Sequence, residues 1–152
     1  MKMLGNEDRM KISTKGRYAL SLVLDIALQP SNAPVTLKDI SKRQSISLKY
    51  LEQIMPSLTT AGIIRSVRGP KGGYYLNKDA NQISVGSILR LTEGSLAPVD
   101  WVVPDSNEPE VKDPITVLVW DKLYQAICDV VDNVTIQDLK NQTLYNGGEY
   151  YI

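Results

Sequence analysis

Between Thr36 and Leu76 the hydrophobic period of the chain changes in an order that few folds accommodate. Thr36-Leu37-Lys38-Asp39 has the form of a capping box, in which a Thr hydroxyl caps an early backbone N–H and the acid three residues on reaches back. Leu37, Ile40 and Ile46 supply the buried side of the short helix it opens. Ser45-Ile46-Ser47 interrupts that helix and Ser47 caps the next, whose buried positions Leu48, Leu51, Ile54, Met55 and Leu58 recur at helical spacing. Pro56 lacks an N–H and implies a kink or an early stop, while Gly62 suits the left-handed residue that closes a helix. A strand, Ile63-Ile64-Arg65-Ser66-Val67, then turns through Arg68-Gly69-Pro70-Lys71-Gly72-Gly73 into a return strand, Tyr74-Tyr75-Leu76. Two helices joined by a tight turn, then a basic hairpin, give the winged helix-turn-helix order.

The flanking segments extend this unit. Ser13 or Thr14 caps a first helix with Tyr18, Leu22, Val23, Ile26 and Ala27 on one side, ending near Pro30-Ser31-Asn32. After the hairpin, Ser84 caps a short helix carrying Val85, Ile88, Leu89 and Leu91, ended by Gly94. Residues 95–114 contain four prolines and read as a connector. Pro114 suits the first position of a long helix of about 18 residues. Its apolar surface is broad, with Val119, Leu123, Ala126 and Val130 on one line and Trp120, Tyr124, Ile127 and Val131 on the next. One line covers the chain's own domain and the other fits a second copy, so the sequence predicts a symmetric homodimer through Val119, Trp120, Leu123, Tyr124, Ile127, Val130 and Val131. Thr135-Ile136-Gln137-Asp138 opens a last helix through about Gln142.

The expected fold is mainly α with a small β-hairpin. It divides into an extra, disordered N-terminal segment (1–9), a winged helix-turn-helix domain (10–94), a connector (95–114), a dimerisation helix with a short helix (115–143) and a tail (144–152).

Charge separates these parts. Residues 1–76 carry 12 Lys and Arg against 5 Asp and Glu, a net +7, and residues 77–152 carry 5 against 12, a net −7. A basic half joined to an acidic half places a polyanion on one side of the molecule. The chain has no His and a single Cys, which removes the commonest general base, Ser-His and Cys-His catalysis, and thiolate-built metal sites within one chain. An enzyme reading has no residues to support it, and no metal or cofactor is expected. Without a signal segment or an apolar run long enough to span a bilayer, the expected compartment is the cytoplasm.

The partner expected for the basic half is double-stranded DNA. The helix opened by Ser47 enters the major groove, offering Ser47, Lys49, Tyr50, Glu52 and Gln53. Gln53 suits adenine and Glu52 suits cytosine, while Lys49 and Tyr50 suit phosphates. Arg68 and Lys71 of the wing suit the minor groove or the backbone, and Lys15 and Arg17 suit phosphates. Cys128, set among Ala126, Ile127, Val130 and Val131 with no basic neighbour in the sequence, reads as an inert packed thiol. Trp101 and Trp120 read as core or interface residues.

Three stretches, Lys11 to Ala19, Ile46 to Ile54 and Val67 to Tyr74, closely resemble the Rrf-two family of winged-helix regulators, and the resemblance runs from Met10 to about Gln142. Its cluster-binding members carry three Cys beyond the Glu-Gly matching Glu93-Gly94, and some a His where Val117 stands; this chain has neither. The resemblance therefore implies the cluster-free branch that represses cysteine-metabolism genes, to which Leu96-Ala97-Pro98-Val99-Asp100 and Tyr150-Tyr151-Ile152 are similar. It implies a signal relayed by cysteine synthase (O-acetylserine sulfhydrylase), with Tyr151 and Ile152 as the tail that the enzyme captures. Two alternatives stay open: the same fold answering another small-molecule or redox signal, and a winged helix serving as a protein-interaction module.

Overall fold

A computed structural model describes residues 11–99 and 115–145. Among these residues, six helices and one hairpin follow in order: α1 (Thr14–Leu28), α2 (Leu37–Gln44), α3 (Leu48–Thr60), β1 (Ile64–Val67), β2 (Gly73–Leu76), α4 (Val85–Glu93), α5 (Val117–Asn133) and α6 (Ile136–Tyr145), with a 3-10 turn at Ala80–Gln82 before α4.

Every helix start but that of α5 follows from a local hydroxyl. Ser13, Thr36, Ser47 and Ser84 accept hydrogen bonds from the backbone N–H groups of Gly16, Asp39, Tyr50 and Ser87, satisfying donors that a helix leaves unpaired. Only the Thr36 half of the box expected at α2 forms, whereas α6 opens with a complete one. There Asp138 N–H donates to Thr135 Oγ1 at 3.1 Å and Thr135 N–H donates to Asp138 Oδ2 at 2.9 Å.

The turn between α2 and α3 passes through Ser45 in the left-handed region (φ 55°) and is tied by the Ser41 hydroxyl donating to Ile46 O at 2.6 Å. Of the kink or early stop expected at Pro56, the early stop does not occur: α3 continues to Thr60. Glu52, whose carbonyl loses its intrahelical donor, and Pro56 both lie on the exposed side, where that carbonyl is open to solvent. Gly62 (φ 73°) then turns the chain into β1, as expected.

Antiparallel β1 and β2 pair Ile64 with Leu76 and Val67 with Gly73. A bridge between Val35 and Tyr74 fastens the hairpin to the start of α2. Leu22, Ile40, Leu51, Ile54, Leu58, Ile64, Ile83, Ile88 and Ile136 form one fully buried core, so every described element except α5 gives a side chain to it or packs on it. Helix α6, grouped in the sequence with the dimerisation segment, returns to pack on α1 and runs on to Tyr145.

Asp25 of α1 is buried to 2% exposure and is held by α2. Arg43 donates to both of its carboxylate oxygens, with Nη2–Oδ1 at 2.6 Å, and Gln44 Nε2 donates at 2.9 Å. The hydrogen bond from Arg43 to Asp25 raises the guanidinium pKa further above its usual value. Among the described residues, no helix is long and apolar enough to cross a membrane.

Candidate nucleic-acid interface

Helix α3 presents a continuous exposed face. Ser47, Lys49, Glu52 and Gln53 are all exposed, as the spacing predicts, while Leu51, Ile54, Met55 and Leu58 are buried. No acidic residue stands in the first turn, so no side chain of that turn neutralises the positive end of the helix dipole. Two residues depart from the expectation. Tyr50 is half-buried, its ring packed edge-on against Tyr18 with centroids 5.2 Å apart, and it braces α3 against α1 instead of standing free. Leu48, expected in the core, is 43% exposed, because Leu51 fills the interior one turn on and Leu48 lies on the same face as Glu52.

The Tyr18–Tyr50 contact joins the N-terminal parts of α1 and α3, bringing the segment with Lys15 and Arg17 toward the start of α3. Arg17 is exposed, with Nη2 donating to Thr14 Oγ1 at 3.1 Å, and Lys15 is half-buried. Glu93 at the end of α4 accepts from Ser13 N–H at 2.6 Å, which places a carboxylate at the α1 N-terminus. Gly16 admits it: a Cβ there would stand 2.5 Å from Glu93 Oε1.

In the wing, Arg68 through Lys71 are exposed at the hairpin tip, and Gly72 N–H donates to Gly69 O at 2.9 Å. A Cβ on Gly72 would collide with the Val67 carbonyl oxygen, so the tight return requires glycine. The sequence reading passed over Arg65, whose guanidinium lies 4.5 Å from the centroid of the Tyr75 ring. Its signal is the register, which sets Arg65 opposite Tyr75. Stacking holds this cation in a fixed direction on the wing. Between α3 and the hairpin lies an open cleft of about 320 Å³, lined by Leu37, Glu52, Met55, Pro56, Thr59, Thr60, Ser66 and Tyr74.

Helix α5 is built differently: none of its 17 residues is buried. The two apolar lines read from the sequence differ in exposure. Trp120, Tyr124, Ile127 and Val131 are partly covered, whereas Val119 is 56% and Val130 63% exposed, Ala126 is exposed and Leu123 is half-buried. The helix meets α4 through Gly86, where a Cβ would collide with Asp132, and through an ion pair between Arg90 and Asp132 at 2.5 Å. Arg90 holds the Asp132 carboxyl below the usual carboxylate range, and the same hydrogen bond raises Arg90 beyond its ordinary value.

Arg90 Nη2 also lies 3.7 Å from Cys128 Sγ, so the thiol that looked free of basic neighbours faces a guanidinium from another helix. A hydrogen bond with Cys128, then burial, raises the Tyr124 phenol. Trp101, Tyr151 and Ile152 lie outside the described residues.

An exposed, polar first turn on the second helix of a helix-turn-helix, followed by a basic wing, is the architecture of winged-helix transcription regulators. Residues 12–142 match the Rrf2 family, described as iron-dependent transcriptional regulators. The HTH-type transcriptional regulator CymR of Bacillus subtilis is 37% identical over 134 residues, 88% of this chain and 92% of that relative. IscR of Pectobacterium atrosepticum, also an HTH-type transcriptional regulator, is 40% identical over 132 residues, 87% of this chain and 80% of its own. The solved structure of B. subtilis CymR superposes with a TM-score of 0.76 at 35% identity, over 86% of this chain and 96% of that one. The chain belongs to the Rrf2 family.

Iron enters through the family description, and cluster chemistry demands thiolate or imidazole donors. With Cys128 as the single Cys and no His, this chain's donor set does not fit such a cluster. Among the described residues, no group of three His, Cys, Asp or Glu is placed to hold a metal ion.

Proposed function

We propose that the chain is a homodimeric DNA-binding repressor that reads an inverted-repeat operator and governs genes of cysteine and sulfur metabolism. One observation carries this reading: an exposed polar α3 face on a complete winged-helix core, joined to a helix none of whose residues is fully buried within its own chain. Helix α3 enters the major groove with Gln53 on adenine and Glu52 on cytosine. Lys49, Lys15 and Arg17 hold phosphates, as does the Tyr50 hydroxyl at the edge of its packed ring, and Ser47 contributes its backbone and hydroxyl at the helix start. Arg68 and Lys71, with Arg65 behind them, meet the minor groove or the flanking backbone. Val119, Leu123 and Val130 face the second copy, with Trp120, Tyr124, Ile127 and Val131 completing the seam from the domain side. Two copies of this basic surface make binding strongly salt-dependent.

The cysteine assignment rests on the likeness to CymR, described in its solved structure as the global cysteine regulator of B. subtilis. In this reading the signal arrives through cysteine synthase. A free carboxylate on the apolar Ile152, preceded by Tyr151, has the chemistry of an amino-acid-like ligand, held by backbone donors and an apolar pocket. Calorimetric titration of purified cysteine synthase with the full chain and with a chain lacking Ile152 tests this. Binding that disappears on truncation is expected. Absence of binding by the full chain removes the partner and leaves the DNA reading intact.

A further inference from the structure

Leu48 is the feature of the α3 face that the contacts named above leave unused. It is the first residue of the helix, immediately after the Ser47 cap. The cap is made by the Ser47 hydroxyl and the core by Leu51, Ile54 and Leu58, each at most 1% exposed, so Leu48 serves neither. It nevertheless keeps 43% of its surface in water, on the side of α3 that carries Glu52 one turn on. An exposed leucine beside a polar base-reader is matched, in the major groove, by one chemical group: the 5-methyl of thymine, the apolar mark that sets thymine apart there.

We propose that Leu48 is a specificity-determining residue that reads a thymine methyl in each half-site. This deepens the operator-reading function and rests on it. The helix sets the order of contacts. Leu48 lies one turn before Glu52, so the thymine it meets neighbours the base read by Glu52, with Lys49 anchoring the phosphate between helix and strand. Specificity at this position comes from burial of a methyl group against leucine and needs no hydrogen bond.

The test uses the full chain and a duplex that the protein itself selects from a random DNA pool. Each thymine is replaced in turn by deoxyuridine, in both half-sites together, and affinity is measured by fluorescence anisotropy at fixed salt. Loss of one methyl contact corresponds to about a 4-fold loss of affinity per half-site, so about 10- to 20-fold for the symmetric duplex. One thymine position is expected to show this loss with the wild-type chain. Leu48→Ala is expected to bind the thymine and deoxyuridine duplexes equally, at the weaker level. Leu48→Met, which keeps an apolar tip, is expected to retain part of the methyl dependence. Alanine is favoured in helices and the site is exposed, so a thermal melt of Leu48→Ala should match the wild type. The proposal is overturned if no thymine shows a methyl effect that depends on residue 48, even though the protein selects and binds its duplex. Failure to select any sequence overturns the operator reading itself, and this proposal with it.

Discussion

The winged-helix core and helix α5 solve the problem of apolar surface in opposite ways. From α1 to α4, with α6 folded back on them, the core hides Leu22, Leu51, Leu58 and its isoleucines within one chain and ties its polar interior group, Asp25, to Arg43 and Gln44. Helix α5 carries as broad an apolar surface and buries none of its residues. The first region is complete within one chain, and the second leaves an apolar line in water. In the dimer proposed above, a helix that leaves Val119 and Val130 more than half exposed gains its stability from a partner, and DNA reading and assembly then reside in separable parts of one chain.

The largest expected effect breaks the comparison on its weak side. Val119→Glu with Val130→Glu places four carboxylates in the seam of a dimer and weakens association at least ~100-fold, because charges would be buried without partners. Sedimentation velocity should show monomers whose core melts as the wild type does. A tandem loss of fold and association would mean that α5 is core to the monomer.

On the other side, Arg43→Ala strands the buried Asp25 carboxylate. Removing one partner of a buried pair costs several kcal/mol, and because Arg43 is 39% exposed and Gln44 remains, a loss of about 2 kcal/mol is expected in urea denaturation. Self-association of the folded fraction should not change.

The smallest effect concerns the joint between the regions. Asp132 has a folded-state pKa below its unfolded value, so its pairing with Arg90 contributes stability above the ordinary Asp range, lost as pH falls through the lower folded value. Both side chains are more than a third exposed, so the contribution is below about 1 kcal/mol. Stability curves of the wild type and Asp132→Asn should separate near neutral pH and converge in acid. Curves that stay parallel would remove the ion pair from the joint.

What was legible in the sequence follows the range of the interactions. Caps at Ser13, Ser47 and Ser84 act within three residues, and the turn at Gly62 is a single backbone angle, so local chemistry announced them. The broad face of α5 was likewise visible as a pattern. The Asp25–Arg43 pair, the stack of Arg65 on Tyr75 and the approach of Arg90 to Cys128 depend on which elements pack together, and no local signal marks them. Leu48 and Leu51 are indistinguishable by type, and only the packed core shows that the interior takes the second and leaves the first to solvent. Pro56 signalled a kink or an early stop, and only the packed helix shows that the stop does not occur, with Pro56 on the exposed side.

The central claim, two complete DNA-reading units joined by an incomplete helix, is tested most directly by sedimentation velocity of the wild-type chain with a duplex it has selected. Two chains per duplex are expected across the concentration range in which complex forms. A saturated complex holding one chain per duplex would contradict it.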